Sequence, residues 1–229
     1  MPRCVRSTTR TLSLQRTSRN SSAKWWWTFC VATPRRSQAD RSRSTRGSLI
    51  ASARELFAER GYAAVPAGEI VRAAGVTRGA LYHHFSDKDD LLRAVVEQIE
   101  TEIAAEIAED IQHIDDPWEA GLTALTTFLN TCLRPEVVQI SLTDAPGVLG
   151  WHALREIEAR HGLGLIIDTL DNAAAKGTLV AAPTPALAQL VLSTCIEAAL
   201  LIAHADDSDA ARSDVESALV ALLSGLIAR

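Results

Sequence analysis

Aromatic side chains make up only 5% of this 229-residue chain, which holds just 12 glycines and 8 prolines. Sandwiches and barrels need frequent turn residues and aromatic or β-branched strands, so this scarcity points away from both and toward helices. Cysteine is sparse too. Cys4, Cys30, Cys132 and Cys195 stand far apart, with no CxxC or metal-ligand spacing, which fits a reduced, cytoplasmic protein rather than a disulfide framework. No apolar run reaches the roughly 18–20 residues of a membrane span. The triplet Trp25-Trp26-Trp27 is too short for the apolar centre of a secretory signal. HExxH, GxSxG and phosphate-cradling glycine loops are missing, so the expectation is a protein without catalysis, cofactor or metal.

What is present is a 47% hydrophobic composition, enough for a proper core, and a lopsided charge distribution. Residues 1–46 carry eleven of the 23 basic side chains and a single acid, Asp40, for a net +10. The remainder holds 12 basic and 27 acidic residues, for a net −15. An overall charge of −5 is therefore no bar to binding a polyanion, because only the local sign near each phosphate counts.

Residues 1–44 are rich in Arg, Ser and Thr and lack helical periodicity, which reads as a disordered basic extension. Val31 begins an ordinary polar stretch, and the expectation is that residues 1–30 are an over-extended start absent from the native product. Helical spacing begins near Thr45, with Leu49, Ile50, Ala53, Leu56 and Phe57 on one face and Gly61 as a stop. Further helices are expected at about 67–74 and 78–84. A long one, capped by Ser86, follows to about Ile111, and another opens with Pro117 at its first position. Two apolar helices at roughly 184–205 and 208–228 close the chain.

Within this plan the segment Glu69–Val76, followed by Thr77-Arg78-Gly79-Ala80-Leu81-Tyr82-His83-His84-Phe85, reads as helix, glycine turn, helix. Thr77 suits an N-cap. The second helix is short and carries Arg78, Tyr82 and His83 on its outward face, a shape and chemistry that suit the DNA major groove.

These residues resemble the DNA-binding domain of the Tet repressor-like (TetR/AcrR) family of transcriptional regulators. The matching stretches are Ala53 to Tyr62, then Glu69-Ile70-x-x-Ala73-Ala74-Gly75-Val76, then Gly79 to Phe85 with Lys88 and Leu91. One departure is Pro66-Ala67, where the family has a Ser/Thr cap and a bulky apolar residue. The segment Leu142–Trp151 resembles part of one branch's sensing domain. The resemblance implies an all-α protein with a three-helix helix-turn-helix DNA-binding domain at 45–90. A C-terminal helical ligand-sensing and dimerisation domain at 91–229 would follow. The implied partners are a palindromic double-stranded operator, a second copy docked through the last two helices, and an unidentified small-molecule effector.

Arg78 has the reach to pair with a guanine edge or with a phosphate, and both readings stand. Gly79 either lets backbone approach DNA or clears a packing contact. Tyr82 and His83 are expected to face the duplex, Lys88 to meet a phosphate, and Thr45 and Arg46 to touch the backbone. Leu81, His84 and Phe85 read as packing residues. In the body, Phe128, Asp144, Trp151 and His152 are candidates for an effector pocket, against core packing for the aromatics and capping for Asp144. An alternative from another class is a helical metalloprotein or metal sensor, built on Glu158/His161 with Asp110/His113 as its second Glu-x-x-His-like pair.

Overall fold

The computed structural model describes residues 38–227, so the expectations for residues 1–37 lie outside the described part. Ten α-helices are described: α1 (Gln38–Arg60), α2 (Ala67–Ala73), α3 (Arg78–His84), α4 (Lys88–Ile111), α5 (Pro117–Cys132), α6 (Pro135–Val137), α7 (Ala145–His161), α8 (Leu163–Ala175), α9 (Thr184–Ala203) and α10 (Ser208–Ser224). A π-helix (Val138–Asp144) joins α6 to α7, and α7 is kinked at Gly150. Among the described residues the only β-pairing is an isolated bridge between Leu179 and Ile227. The fold is all-α.

Two boundaries differ from the sequence expectation. Helix α1 starts at Gln38 rather than Thr45. Its extra turns are supported by the Arg43–Asp40 pair at 2.6 Å, a contact invisible to apolar periodicity. Helix α4 is capped by Asp87, which accepts from the Asp90 N–H at 2.7 Å. Ser86 instead donates its own N–H back to the Asp90 carboxylate, a reciprocal box that satisfies both groups.

Helices α1 to α3 close over Leu49, Phe57, Val65, Ile70, Leu81 and Phe85, all buried. The α2–α3 turn is a Schellman motif. Gly75 sits at φ +65°, and Val76 N–H reaches back to Val71 O at 3.1 Å. Pro66 precedes α2 without a side-chain cap, as its sequence foretold. Helix α4 links this domain to the body. Leu91, Leu92 and Val95, then Ile99, Ile103 and Ile107, carry one continuous core from α1–α3 along α4, which packs on α5 and α7. Burying each such side chain contributes about 1.5–3 kcal/mol.

Helix α9 corrects one sequence reading. At 20 residues, with a mean hydropathy of 2.0 over its most apolar window, it alone among the described helices is long and apolar enough to cross a membrane. It packs on α8, α10 and α5 through Ala188, Leu192, Cys195, Ala198, Ala199 and Ile202. Only 28% of that apolar window is buried within the chain.

Candidate nucleic-acid interface and ligand cavity

The short helix α3 has two unlike sides. Leu81 and the Phe85 that follows the helix are buried, whereas Thr77, Arg78, Gly79, Tyr82 and His83 are exposed. Thr77 holds the helix start by accepting from Ala80 N–H at 3.2 Å. Arg78 lies over the Tyr82 ring at 5.8 Å, so the two form one pre-arranged cationic and aromatic surface. A Cβ built on Gly79 would meet nothing nearer than Thr77 Oγ1 at 3.9 Å. The need for glycine therefore does not come from packing inside the chain.

Arg46 is exposed and its guanidinium covers the Phe85 ring at 5.1 Å, beside half-buried Thr45 on α1. The longer α1 also brings exposed Arg41 and Arg43 onto its N-terminal turns. Sequence reasoning left both in the extension because, Ala39 apart, the helix carries no apolar residue there. His84 is half-buried, with its ring edge-on to His83 at 5.1 Å. Burial, then the nearby His83 and Arg46, hold its imidazole below the usual histidine range.

Lys88 is held within the chain. Its ammonium donates to Tyr62 O at 2.9 Å and Val65 O at 3.0 Å, and lies 3.7 Å from the Tyr62 ring centre. Burial holds its pKa below the usual lysine value. It thus bridges two carbonyls of the α1–α2 loop, adding to the Val65 N–H that Tyr62 O already accepts at 3.3 Å.

Of the four residues expected to line a pocket, two do. A cavity of about 560 Å³ lies between α4, α5, α7, α8 and α9, with Phe128 and Trp151 in its wall. Asp144 and His152 are absent from that wall. Asp144 turns toward the first domain, accepting from Tyr62 N–H at 2.8 Å and from Gln139 Nε2 at 3.0 Å. His152 is exposed and lies 3.4 Å from Glu156, one turn on. The Gly150 kink (φ +78°, ψ +161°) separates Asp144 from Trp151, and His152 is turned away from the cavity by the ordinary rotation between adjacent helical residues.

Two residues that sequence reasoning missed in this role are Glu100 and Glu158, both in the wall. Burial pushes the Glu100 carboxyl up to about 7, helped by the Glu158 charge. Burial also raises Glu158, opposed by Arg155, which donates to it at 3.1 Å. A signal for Glu100 exists in the chain: Val96, Glu100, Ile103 and Ile107 share one helical stripe, which the carboxyl interrupts.

The metal alternative does not assemble. Glu158 serves Arg155, Asp110 accepts from Thr127 at 2.6 Å, and Asp110 and His113 are exposed at the far end of α4. Among the described residues no three His, Cys, Asp or Glu side chains gather as a metal site.

Two family descriptions match the chain. Residues 49–95 match "Bacterial regulatory proteins, tetR family", and residues 118–226 match "Tetracyclin repressor-like, C-terminal domain". The transposon Tn10 TetC protein of Escherichia coli is 33% identical over 129 residues, covering 56% of this chain and 65% of that protein. The chain thus spans just under two thirds of this curated relative. An uncharacterized HTH-type transcriptional regulator of Pseudomonas putida, TtgW, is 34% identical over 46% of this chain and 76% of its own length. A crystal structure of a TetR-family regulator from Pectobacterium atrosepticum superposes with a TM-score of 0.75 at 37% identity, covering 85% of this chain and 99% of that one. The helix-turn-helix built on α2 and α3, the cavity-bearing helical body and these likenesses agree: the chain belongs to the tetR family of bacterial regulatory proteins.

Proposed function

We propose that this protein is a cytoplasmic, ligand-released transcriptional repressor that binds a palindromic operator as a homodimer. The observation that carries the reading is the outward face of α3. Arg78, Gly79, Tyr82 and His83 are exposed on a helix clamped to its domain by Leu81 and Phe85, the geometry of a rod laid in the major groove. Arg46 and Thr45, with Arg41 and Arg43 beyond them, suit the flanking phosphates. Lys88 acts one step behind, by holding the loop that braces the reading head.

Dimerisation is supported by the faces left bare on the last two helices. Leu190 and Leu201 on α9 and Leu222 on α10 are each more than half exposed, and pairing two such faces makes a four-helix bundle. A two-fold dimer places one α3 in each half-site. An occupant of the cavity touches α4, the helix that also carries the first domain's core. It would release DNA by favouring dimers whose reading heads are wrongly spaced.

The test is selection of bound duplexes from a random library with the purified protein, then a chemically diverse screen for compounds that release the selected duplex. A palindromic consensus and at least one releasing compound are expected. Failure to enrich any duplex refutes the DNA reading, and failure of every compound refutes the effector reading.

A further inference from the structure

Three acidic residues, Glu100, Asp116 and Glu158, line the cavity in the body. Among the described residues no lysine, arginine or histidine shares the wall with them. Two of these acids are already employed. Asp116 caps α5 by accepting from Glu119 N–H at 2.8 Å, and Glu158 accepts from Arg155 at 3.1 Å. Among the described residues Glu100 has neither a hydrogen-bond donor nor an ion-pair partner. It stands on α4 between Val96 and Ile103, in a wall whose other members are mostly apolar, Leu125 and Leu192 among them.

A carboxyl enclosed by hydrocarbon has two ways to avoid an unpaired buried charge: it keeps its proton, or it meets a cation. Protein cations do not reach this one: Arg155 is held between Glu158 and the Trp151 ring. The rest of the wall suits the second outcome. Trp118 and Phe128 contribute aromatic groups, whose ring faces attract a weakly hydrated ammonium, while the largely exposed Trp151 ring already carries the Arg155 guanidinium at 4.1 Å. The cavity volume, about 560 Å³, lies in the range that encloses drug-sized molecules.

We propose that the cavity takes a hydrophobic monocation, an amine or quaternary ammonium carried on apolar groups, with its charge seated on Glu100 and its body against the aromatic wall. The proposal rests on the reading of this domain as the effector domain and assigns that effector its chemical class. An anion would face the uncompensated Glu100 beside an already paired Glu158. A neutral molecule would leave Glu100 to its proton and gain nothing from the charge.

The full-length protein is titrated calorimetrically near pH 8 with three probes of similar shape: dibenzyldimethylammonium, neutral N,N-dibenzylacetamide and anionic dibenzylacetate. The cation is expected to bind about tenfold or more tightly than the neutral probe, and the anion weakest. Glu100→Gln keeps the side chain's shape and should bring cation and neutral probe to within about twofold, leaving the neutral affinity in place. Glu158→Gln, a second variant in case the first does not fold, should reduce the preference only in part, because its charge is shared with Arg155. A neutral or anionic winner, binding by none of the three, or a cation preference that survives Glu100→Gln overturns the proposal. The effector reading falls separately, only if the release screen finds no compound at all.

Discussion

Asp144, the last residue of the π-helix, accepts a hydrogen bond from the backbone N–H of Tyr62, the second residue beyond α1, at 2.8 Å. The same loop is held from the other side by Lys88, through Tyr62 O and Val65 O. Gly61 fits between them at φ +74°, and a Cβ there would come within 3.3 Å of Gln139 Nε2. Arg54 adds a fork to Glu136 at 2.8 and 3.1 Å and a bond to Glu102 at 2.7 Å. The joint between reading domain and body is thus polar and geometrically specific.

Breaking that joint should be costly. Asp144→Ala leaves the Tyr62 N–H without its carboxylate and is expected to lower stability by about 1–3 kcal/mol, with weaker operator binding and unchanged affinity for cavity ligands. Thermal melts, gel shifts and ligand titrations measure the three quantities. An unaltered melt and gel shift would show the contact to be idle.

Gly79→Ala separates packing from recognition. The open space around Gly79 predicts a variant as stable as the parent, or more so by up to about 1 kcal/mol. Operator affinity should nevertheless fall by about tenfold, roughly 1.4 kcal/mol, because the methyl stands between backbone and duplex. Full affinity in a well-folded variant would remove Gly79 from the interface.

Arg78→Ala should weaken operator binding by about 1–3 kcal/mol if the guanidinium reads a base, with preference relaxed at one operator position. A uniform loss over all duplexes, with a salt slope lower by about one, would assign it to phosphate instead.

Lys88→Met tests whether the ammonium braces the fold or meets DNA. Val65 O loses its donor and Tyr62 O keeps only the Val65 N–H at 3.3 Å, so a stability loss of about 1–3 kcal/mol is expected, while the salt dependence of DNA binding stays put. A slope reduced by about one would restore a phosphate contact.

The Glu100 carboxyl makes stability depend on pH in an unusual direction for an acid. Its folded pKa of about 7 lies above the ordinary 4.5, so the folded chain binds more protons than the unfolded one between these values. Stability therefore falls as pH rises through that window, by on the order of 3 kcal/mol in total. The charge acting on Glu100 is Glu158 on α7, itself paired with Arg155, and Glu100 in turn helps raise the buried Cys132 thiol on α5, with Cys195 on α9 beside it. Glu106 and Glu136, held low by Arg134 and Arg54, run the opposite way. The measurement is accordingly the difference in melting between parent and Glu100→Gln at pH 5.5 and 8. No pH-dependent difference would contradict the burial argument.

Much of the architecture was legible because it is written in local chemistry. Thr77, Gly75 and Pro117 mark helix ends by hydrogen-bonding capacity and backbone freedom, and each stands where those properties place it. The reading face of α3 followed from the same logic. Asp144 and His152 read as the polar groups of a pocket, but composition does not show direction: Asp144 turns to the Tyr62 N–H and His152 to solvent. The loop contacts of Lys88 were not legible, because its partners are backbone carbonyls, which have no sequence signature. Glu100 was legible in principle, as a lone carboxyl in an apolar stripe, but a surface helix tolerates such interruptions and only the surrounding helices show that it is enclosed.

Helix α9 leaves most of its oily flank uncovered by its own chain. Under the pairing proposed above, folding and assembly become one equilibrium, and dilution alone should lower the melting temperature. Copy number then enters regulation directly. A cell holding few molecules keeps some of them single, and occupancy of the operator climbs more steeply than in proportion to the amount of protein made.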